Sequence, residues 1–198
     1  MYRKIIHKRY KNRRYFLLFS ILVAIIAATA LLTRIDYSYF IRSKSFDKII
    51  VNTAKRHDID PCLVKAVISR ESKFNQNARG SKGEIGLMQI RKDFSAEDWS
   101  REFKMEIPSE GILFSPEMNI EIGTWYLARA VKRWDGYDNP FEMALAEYNA
   151  GYSGMKKWIP PSPRQNIVDF ITFEPTKEYV KAIMKKYREY SQERKQAL

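Results

Sequence analysis

A mainly α-helical domain behind one N-terminal membrane-spanning helix is the architecture this sequence predicts, and three observations carry that reading. Nineteen residues, Tyr15 to Thr33, are uncharged and follow a basic tail. Beyond residue 45, apolar residues recur at helical spacing between capping signals, and strand-like alternation is nearly absent. The chain has 198 residues, 45% of them apolar and 29% charged. That composition suits a folded core rather than disorder, with about 150 residues left for a single domain.

The basic tail comes first. The formal charge is +12, yet Arg3, Lys4, Lys8, Arg9, Lys11, Arg13 and Arg14 supply +7 of it within residues 1–14, where no acid occurs. From residue 34 onward, 28 basic residues face 23 acidic ones. The domain itself is therefore only mildly basic, and no nucleic-acid partner is expected. The tail reads as a topology signal that also touches anionic lipid.

Residues 15–33 form the expected transmembrane anchor. At about 1.5 Å per residue the stretch spans roughly 28 Å, close to the hydrocarbon thickness. The positive-inside tendency places residues 1–14 in the cytoplasm. The rest of the chain then lies in a periplasmic or other extracytoplasmic space. Ala28-Thr29-Ala30 keeps a cleaved signal peptide open as the competitor. The apolar stretch exceeds the usual h-region of roughly 7–15 residues, which favours an anchor in contact with membrane lipid. A single cysteine, Cys62, and two distant histidines, His7 and His57, give no basis for a disulfide, a metal site or a cofactor.

Residues 34–45 read as a linker and 46–194 as the domain. Phe46, Ile49, Ile50, Thr53, Ala54 and His57 form the first amphipathic stripe, with His57 as a helix-terminus residue rather than a ligand. Asp60 offers an N-cap and Pro61 a first helical position for a helix to about Ser72. Asn75 to Gly86 is a loop bearing Gly80, Gly83 and Gly86, which returns the chain to an apolar turn, Leu87 to Ile90. No strand precedes these glycines, so they do not indicate a phosphate loop. Ser115-Pro116 opens a helix to about Trp134, with Ile120, Gly123, Leu127, Ala130 or Val131, and Trp134 along one side. Asn139-Pro140 opens another, carrying Phe141, Ala144, Leu145 and Tyr148, and Asn149-Ala150-Gly151 reads as its C-cap. Thr176 is the expected cap of a last helix with Val180, Ile183, Met184 and Tyr187.

Chemistry enters through Glu71, in the last turn of the helix begun at Pro61. The negative end of a helix dipole disfavours a second negative charge and pushes a carboxyl pKa upward, as a general acid requires. Gln89 lies amid Leu87, Met88 and Ile90. Its amide either points into a cleft or is satisfied by nearby backbone. Tyr148 is open to a core or a cleft role, and each of Trp99, Trp134 and Trp158 reads first as core.

Four segments in order carry a resemblance: Glu71-Ser72, Gly86-Leu87-Met88-Gln89, Tyr148-Asn149-Ala150-Gly151, and Tyr179-Val180 near the start of the last helix. Together with Ser115 to Ile120, Gly123 and Tyr126-Leu127, they resemble the catalytic domain of lytic transglycosylases related to goose-type lysozyme, over roughly residues 46–190. That resemblance implies a lysozyme-like (α+β superfamily) single catalytic domain acting on peptidoglycan glycan strands. Glu71 matches the single catalytic acid, which protonates the leaving oxygen between N-acetylmuramic acid and N-acetylglucosamine. It then takes the proton of the C6 hydroxyl as a 1,6-anhydro ring closes. By the same resemblance Ser72, Gly86, Met88, Gln89, Tyr148, Asn149 and Tyr179 form the substrate site. Gln89 and Asn149 would bond the sugar or its acetamido group, Met88, Tyr148 and Tyr179 would line the cleft, and Tyr179 would orient Glu71.

The sequence departs from the family pattern at Arg91-Lys92-Asp93, where a proline-bearing turn is usual, and at Pro175-Thr176-Lys177. Glu147 stands where a small residue is common, and reads as an exposed helix position. It also keeps in view a hydrolytic muramidase, which needs a second carboxylate; the other alternative is a non-catalytic wall-binding assembly protein that uses the cleft as an anchor.

Overall fold

In the computed structural model, residues 2–196 are described, together with the side chains of 18–30, 34 and 37–196. The basic tail and the ends of the predicted membrane span lie outside the described side chains. The chain falls into two units, Met1–Ile41 and Arg42–Leu198.

The first unit is helical throughout, within α1 (Tyr2–Ser45), which also takes in the expected linker. Leu18, Phe19, Ile21, Leu22, Val23, Ile25 and Ile26 are all exposed on it. Among the described residues no helix is long and apolar enough to cross a membrane. Only thirteen consecutive residues of the predicted span, 18–30, fall within that set.

The second unit contains α2 (Asp47–Arg56), α3 (Pro61–Ser72), α4 (Glu97–Phe103), α5 (Glu110–Leu113), α6 (Pro116–Arg133), α7 (Pro140–Met155) and α8 (Glu174–Gln196). Two short strands, β1 (Glu84–Ile85) and β2 (Ile90–Arg91), pair antiparallel between α3 and α4. Each is two residues long, below what periodicity can reveal. The domain is mainly helical, as the sequence predicts.

The capping signals have mixed outcomes. Asp60 accepts the Cys62 N–H at 2.8 Å, and Ser115 accepts the Met118 N–H at 3.5 Å, each just before its proline. Asn139 does not cap α7. Its side chain donates to the Gln165 carbonyl at 3.2 Å and accepts from Ile167 N–H at 3.4 Å, tying the start of α7 to a later loop. Thr176 lies inside α8, which begins at Glu174, and its hydroxyl serves another purpose described below. Gly151 does not end α7. With φ 70° and ψ 158° it breaks the helix, which resumes to Met155. His57 does close α2, where its Nε2 meets Glu121 Oε1 at 2.7 Å.

The core is built where α3, buried at Leu63, Val64, Ala66, Val67 and Ile68, packs on α8. α7 bridges α6 and α8. Trp99, Trp134 and Trp158 are buried, in keeping with the core role read for them.

One buried side chain fixes the hairpin to this frame. Asn119 on α6 donates to the carbonyls of Ile85 at 2.8 Å and Leu113 at 2.7 Å, and accepts from Met88 N–H at 2.7 Å. Both of its N–H donors and one lone pair of its oxygen are thus engaged by backbone groups. Gly86 makes this approach possible. It has φ +76°, and a Cβ there would meet Asn119 Nδ2 at 2.3 Å.

Candidate active site

Glu71 ends α3 just before the backbone turns left-handed at Lys73 (φ 51°) and Phe74 (φ 60°). Its carboxyl is half-buried and Oε1 accepts the Tyr179 hydroxyl at 2.5 Å, joining α3 to α8. Burial pushes the Glu71 pKa up to about 7, against which the Tyr179 hydrogen bond and the Arg70 guanidinium pull down. Glu84, on β1, adds a small upward push. The sequence points to the helix dipole as the reason for a raised pKa; in the structure the principal cause is loss of solvent. Half of the Glu71 population is then protonated near neutral pH, and the carboxyl can both give and take a proton there.

Two phenols flank this acid. Tyr179 is buried, and burial together with the Glu71 charge raises its pKa well above the ordinary value. It therefore stays a hydrogen-bond donor. Arg70 lies over the Tyr179 ring, 5.6 Å from the centroid. Tyr148, on α7, donates its hydroxyl to the Met88 carbonyl at 2.9 Å, and burial likewise raises its pKa, with Glu71 as the next cause. Tyr126 meets Tyr148 edge-on at 5.9 Å and 78°.

The remaining candidates separate by what their atoms still offer. Asn149 is exposed, and its side-chain oxygen accepts the Thr176 hydroxyl at 2.7 Å, leaving the amide nitrogen to present outward. Thr176 thus orients Asn149 instead of capping a helix. Gln89 turns on a left-handed backbone (φ 51°), and its amide nitrogen donates to Gly86 O at 3.0 Å and Ala78 O at 3.4 Å. Of the two readings open for that nitrogen, backbone satisfaction is the observed one. Ser72 is half-buried and its hydroxyl donates back to Ile68 O at 3.2 Å.

Two expectations need correction. Met88 has no exposed surface, so its side chain does not line a cleft. It packs instead against Gly123, where an added Cβ would strike its sulfur at 2.5 Å. What Met88 contributes is backbone: its carbonyl anchors Tyr148 and its N–H anchors Asn119. Gly86 likewise shapes the turn rather than offering a binding group.

Glu147 is not an exposed helix position either. It is 2% exposed, takes the Trp134 indole N–H at 2.8 Å on Oε2, and has Arg133 at 3.6 Å from Oε1. Both oxygens brace α7 against the end of α6. The second carboxylate on which the muramidase alternative rested is committed elsewhere. Among the described residues, no group of three or more His, Cys, Asp or Glu side chains is placed to hold a metal ion.

Known proteins resemble this chain in sequence and in fold. Residues 48–171 match the family model described as the transglycosylase SLT domain. Membrane-bound lytic murein transglycosylase E of Buchnera aphidicola is 29% identical over an alignment of 196 positions that covers 87% of this chain and 89% of that protein. Membrane-bound lytic murein transglycosylase C of Shigella sonnei is 32% identical over 115 residues, 56% of this chain and 32% of its own length. The solved structure of an inactive mutant of the lytic transglycosylase Slt of Pseudomonas aeruginosa superposes with a TM-score of 0.65 at 27% identity. It covers 74% of this chain, which in turn spans 24% of that larger protein.

Proposed function

The chain belongs to the transglycosylase SLT domain family, and from that premise we propose that it cuts peptidoglycan between N-acetylmuramic acid and N-acetylglucosamine with Glu71 as both acid and base. The observation that carries this reading is the half-buried Glu71 carboxyl, raised to about 7 and held by the Tyr179 phenol. At neutral pH a carboxyl so placed gives its proton to the glycosidic oxygen as the bond from C1 breaks. The resulting carboxylate takes the proton of the sugar's own C6 hydroxyl as that oxygen closes on C1. The proton returns to Glu71, no water is consumed, and the products are one glycan end freed as an alcohol and one 1,6-anhydromuramoyl end. A single acid suffices because the second carboxylate of an ordinary glycosidase would serve an attacking water or a covalent intermediate.

Tyr179 sets the direction of the Glu71 carboxyl, and Asn149, held by Thr176, presents its amide to the sugar. Residues 15–33 serve as the membrane anchor, with the N-terminus cytoplasmic and the domain outside the cytoplasm. In favour of the anchor are the uncharged stretch, the exposed and mainly apolar surface of residues 18–30 and the membrane-bound Buchnera relative.

Mass spectrometry of peptidoglycan digested by the purified full-length protein tests the chemistry. Fragments one water lighter than hydrolysis products, absent with Glu71→Gln, are expected. Reducing-end fragments would replace this reading with hydrolysis, and binding without cleavage would replace it with wall anchoring.

A further inference from the structure

The loop before Gln89 carries a carboxylate that the family resemblance does not use. Gly80 N–H donates to the Glu84 carbonyl at 2.8 Å, closing the loop back on itself. The Glu84 side chain folds over the same glycine, where Oε2 accepts the Lys82 N–H at 2.9 Å. A methyl added to Gly80 would stand 2.2 Å from Glu84 Oε2 and 2.9 Å from Gln89 Oε1. Two side-chain oxygens from opposite sides of the hairpin thus share the space that any Cβ would fill.

Donor and acceptor chemistry makes this pair specific. Both partners of the Gln89 nitrogen are carbonyls, so the amide has one permitted orientation and its oxygen is what remains to offer. An ionised carboxylate is also acceptor-only. Glu84 Oε2 already accepts the Lys82 N–H, while among the described residues no donor meets the Gln89 oxygen, so a ligand N–H or O–H entering here would meet two acceptors and satisfy the one left over. The pair is close enough to the catalytic acid for Glu71 to feel the Glu84 charge.

We propose that Glu84 and the Gln89 side-chain oxygen form an acceptor pair that takes the acetamido N–H and a neighbouring hydroxyl of the sugar ring at the cleavage site. The inference rests on the transglycosylase reading above and names a substrate-binding residue for it. An acetamido N–H held from below leaves its carbonyl oxygen free to turn toward C1. The absence of a side chain at Gly80 is then a requirement of substrate recognition as well as of loop closure.

Two substitutions test this in the purified full-length protein. Glu84→Ala removes one acceptor. Gly80→Ala keeps Glu84 but displaces its carboxyl, since the clash falls on the far end of a flexible side chain. Each is expected to raise KM for peptidoglycan about tenfold, with kcat changed less than about threefold, as befits loss of one hydrogen bond to a charged group. Glu84→Gln isolates the charge. The groups facing Glu71 are Arg70 from its own helix, Tyr148 from α7, Tyr179 from α8 and Glu84 from β1. Losing the Glu84 charge should therefore move the alkaline limb of activity downward.

Binding of a β-1,4-linked N-acetylglucosamine tetramer and of its de-N-acetylated form, measured in a Glu71→Gln background, separates this inference from the reading beneath it. Affinity lost through Glu84→Ala for the acetylated tetramer alone supports the pair. Equal loss for both tetramers, or none, overturns it, whether or not anhydro products appear. Thermal unfolding identifies a folding defect, in which case Gly80→Ala carries the test.

Discussion

Glu71 and Glu147 are both glutamates withdrawn from water on core helices, and their surroundings give them opposite roles. At the α3–α8 seam, Glu71 meets one phenol, a partner that donates a hydrogen bond without bringing a charge. At the α6–α7 seam, Glu147 meets an indole N–H on one oxygen and a guanidinium near the other. Burial alone therefore does not make a carboxyl a catalytic acid. The first keeps a proton to exchange, and the second is a brace with nothing left over.

The comparison breaks most readily at Glu71. Glu71→Gln should lower turnover by roughly 10²–10⁴-fold, the usual range for a lost general acid, while Glu147→Gln should leave turnover per folded molecule near that of the parent. Steady-state rates normalised to folded protein decide this, and equal losses would erase the distinction. Stability against pH sharpens it. In the unfolded chain Glu71 titrates in the ordinary carboxylate range, and in the fold near 7. Between those values the folded state binds more protons, so stability falls as pH rises, by on the order of 3 kcal/mol once pH exceeds 7. Glu71→Gln should remove that loss, and denaturant titrations at pH 4.5 and pH 8 would reveal it. A wild-type protein with a flat profile would mean that the acid is not buried as described.

Smaller effects follow. Glu147→Gln should cost about 1–3 kcal/mol of stability, since either the buried Trp134 indole N–H or the exposed Arg133 guanidinium loses its acceptor, and thermal unfolding would record it. Tyr179→Phe should lower turnover about tenfold, in keeping with one lost hydrogen bond to a charged group. Because that bond holds the Glu71 pKa down, its loss should also move the alkaline limb of the pH profile upward. A downward movement would mean that the phenol does not stabilise the carboxylate.

Much of this was legible in the chain. The helix starts at Pro61, Pro116 and Pro140 were readable because a proline is already set for the first helical position, and Asp60 and Ser115 add side-chain caps that Asn139, engaged with Gln165 and Ile167, does not. The positions of Glu71 and Tyr179 on α3 and α8 follow from the same periodicity. What stayed hidden were contacts between distant residues. Nothing local distinguishes Glu147 from a solvated helix glutamate until Trp134 turns its indole toward it. Asn119 lies within a segment the family resemblance marks, yet its three backbone partners come from residues 85, 88 and 113. For Gln89 the sequence leaves a cleft role and backbone satisfaction open, and only the carbonyls of Ala78 and Gly86 show that its donor is used up.

The bond between Tyr179 and Glu71 spans 108 residues of sequence. Glu71, the acid proposed above, is made early in synthesis and its phenolic partner late, so this pair cannot form until α8 has docked against α3. A chain still lacking α8 carries the glutamate without the phenol that holds it. On the reading proposed above, completing the fold is the step that arms the site.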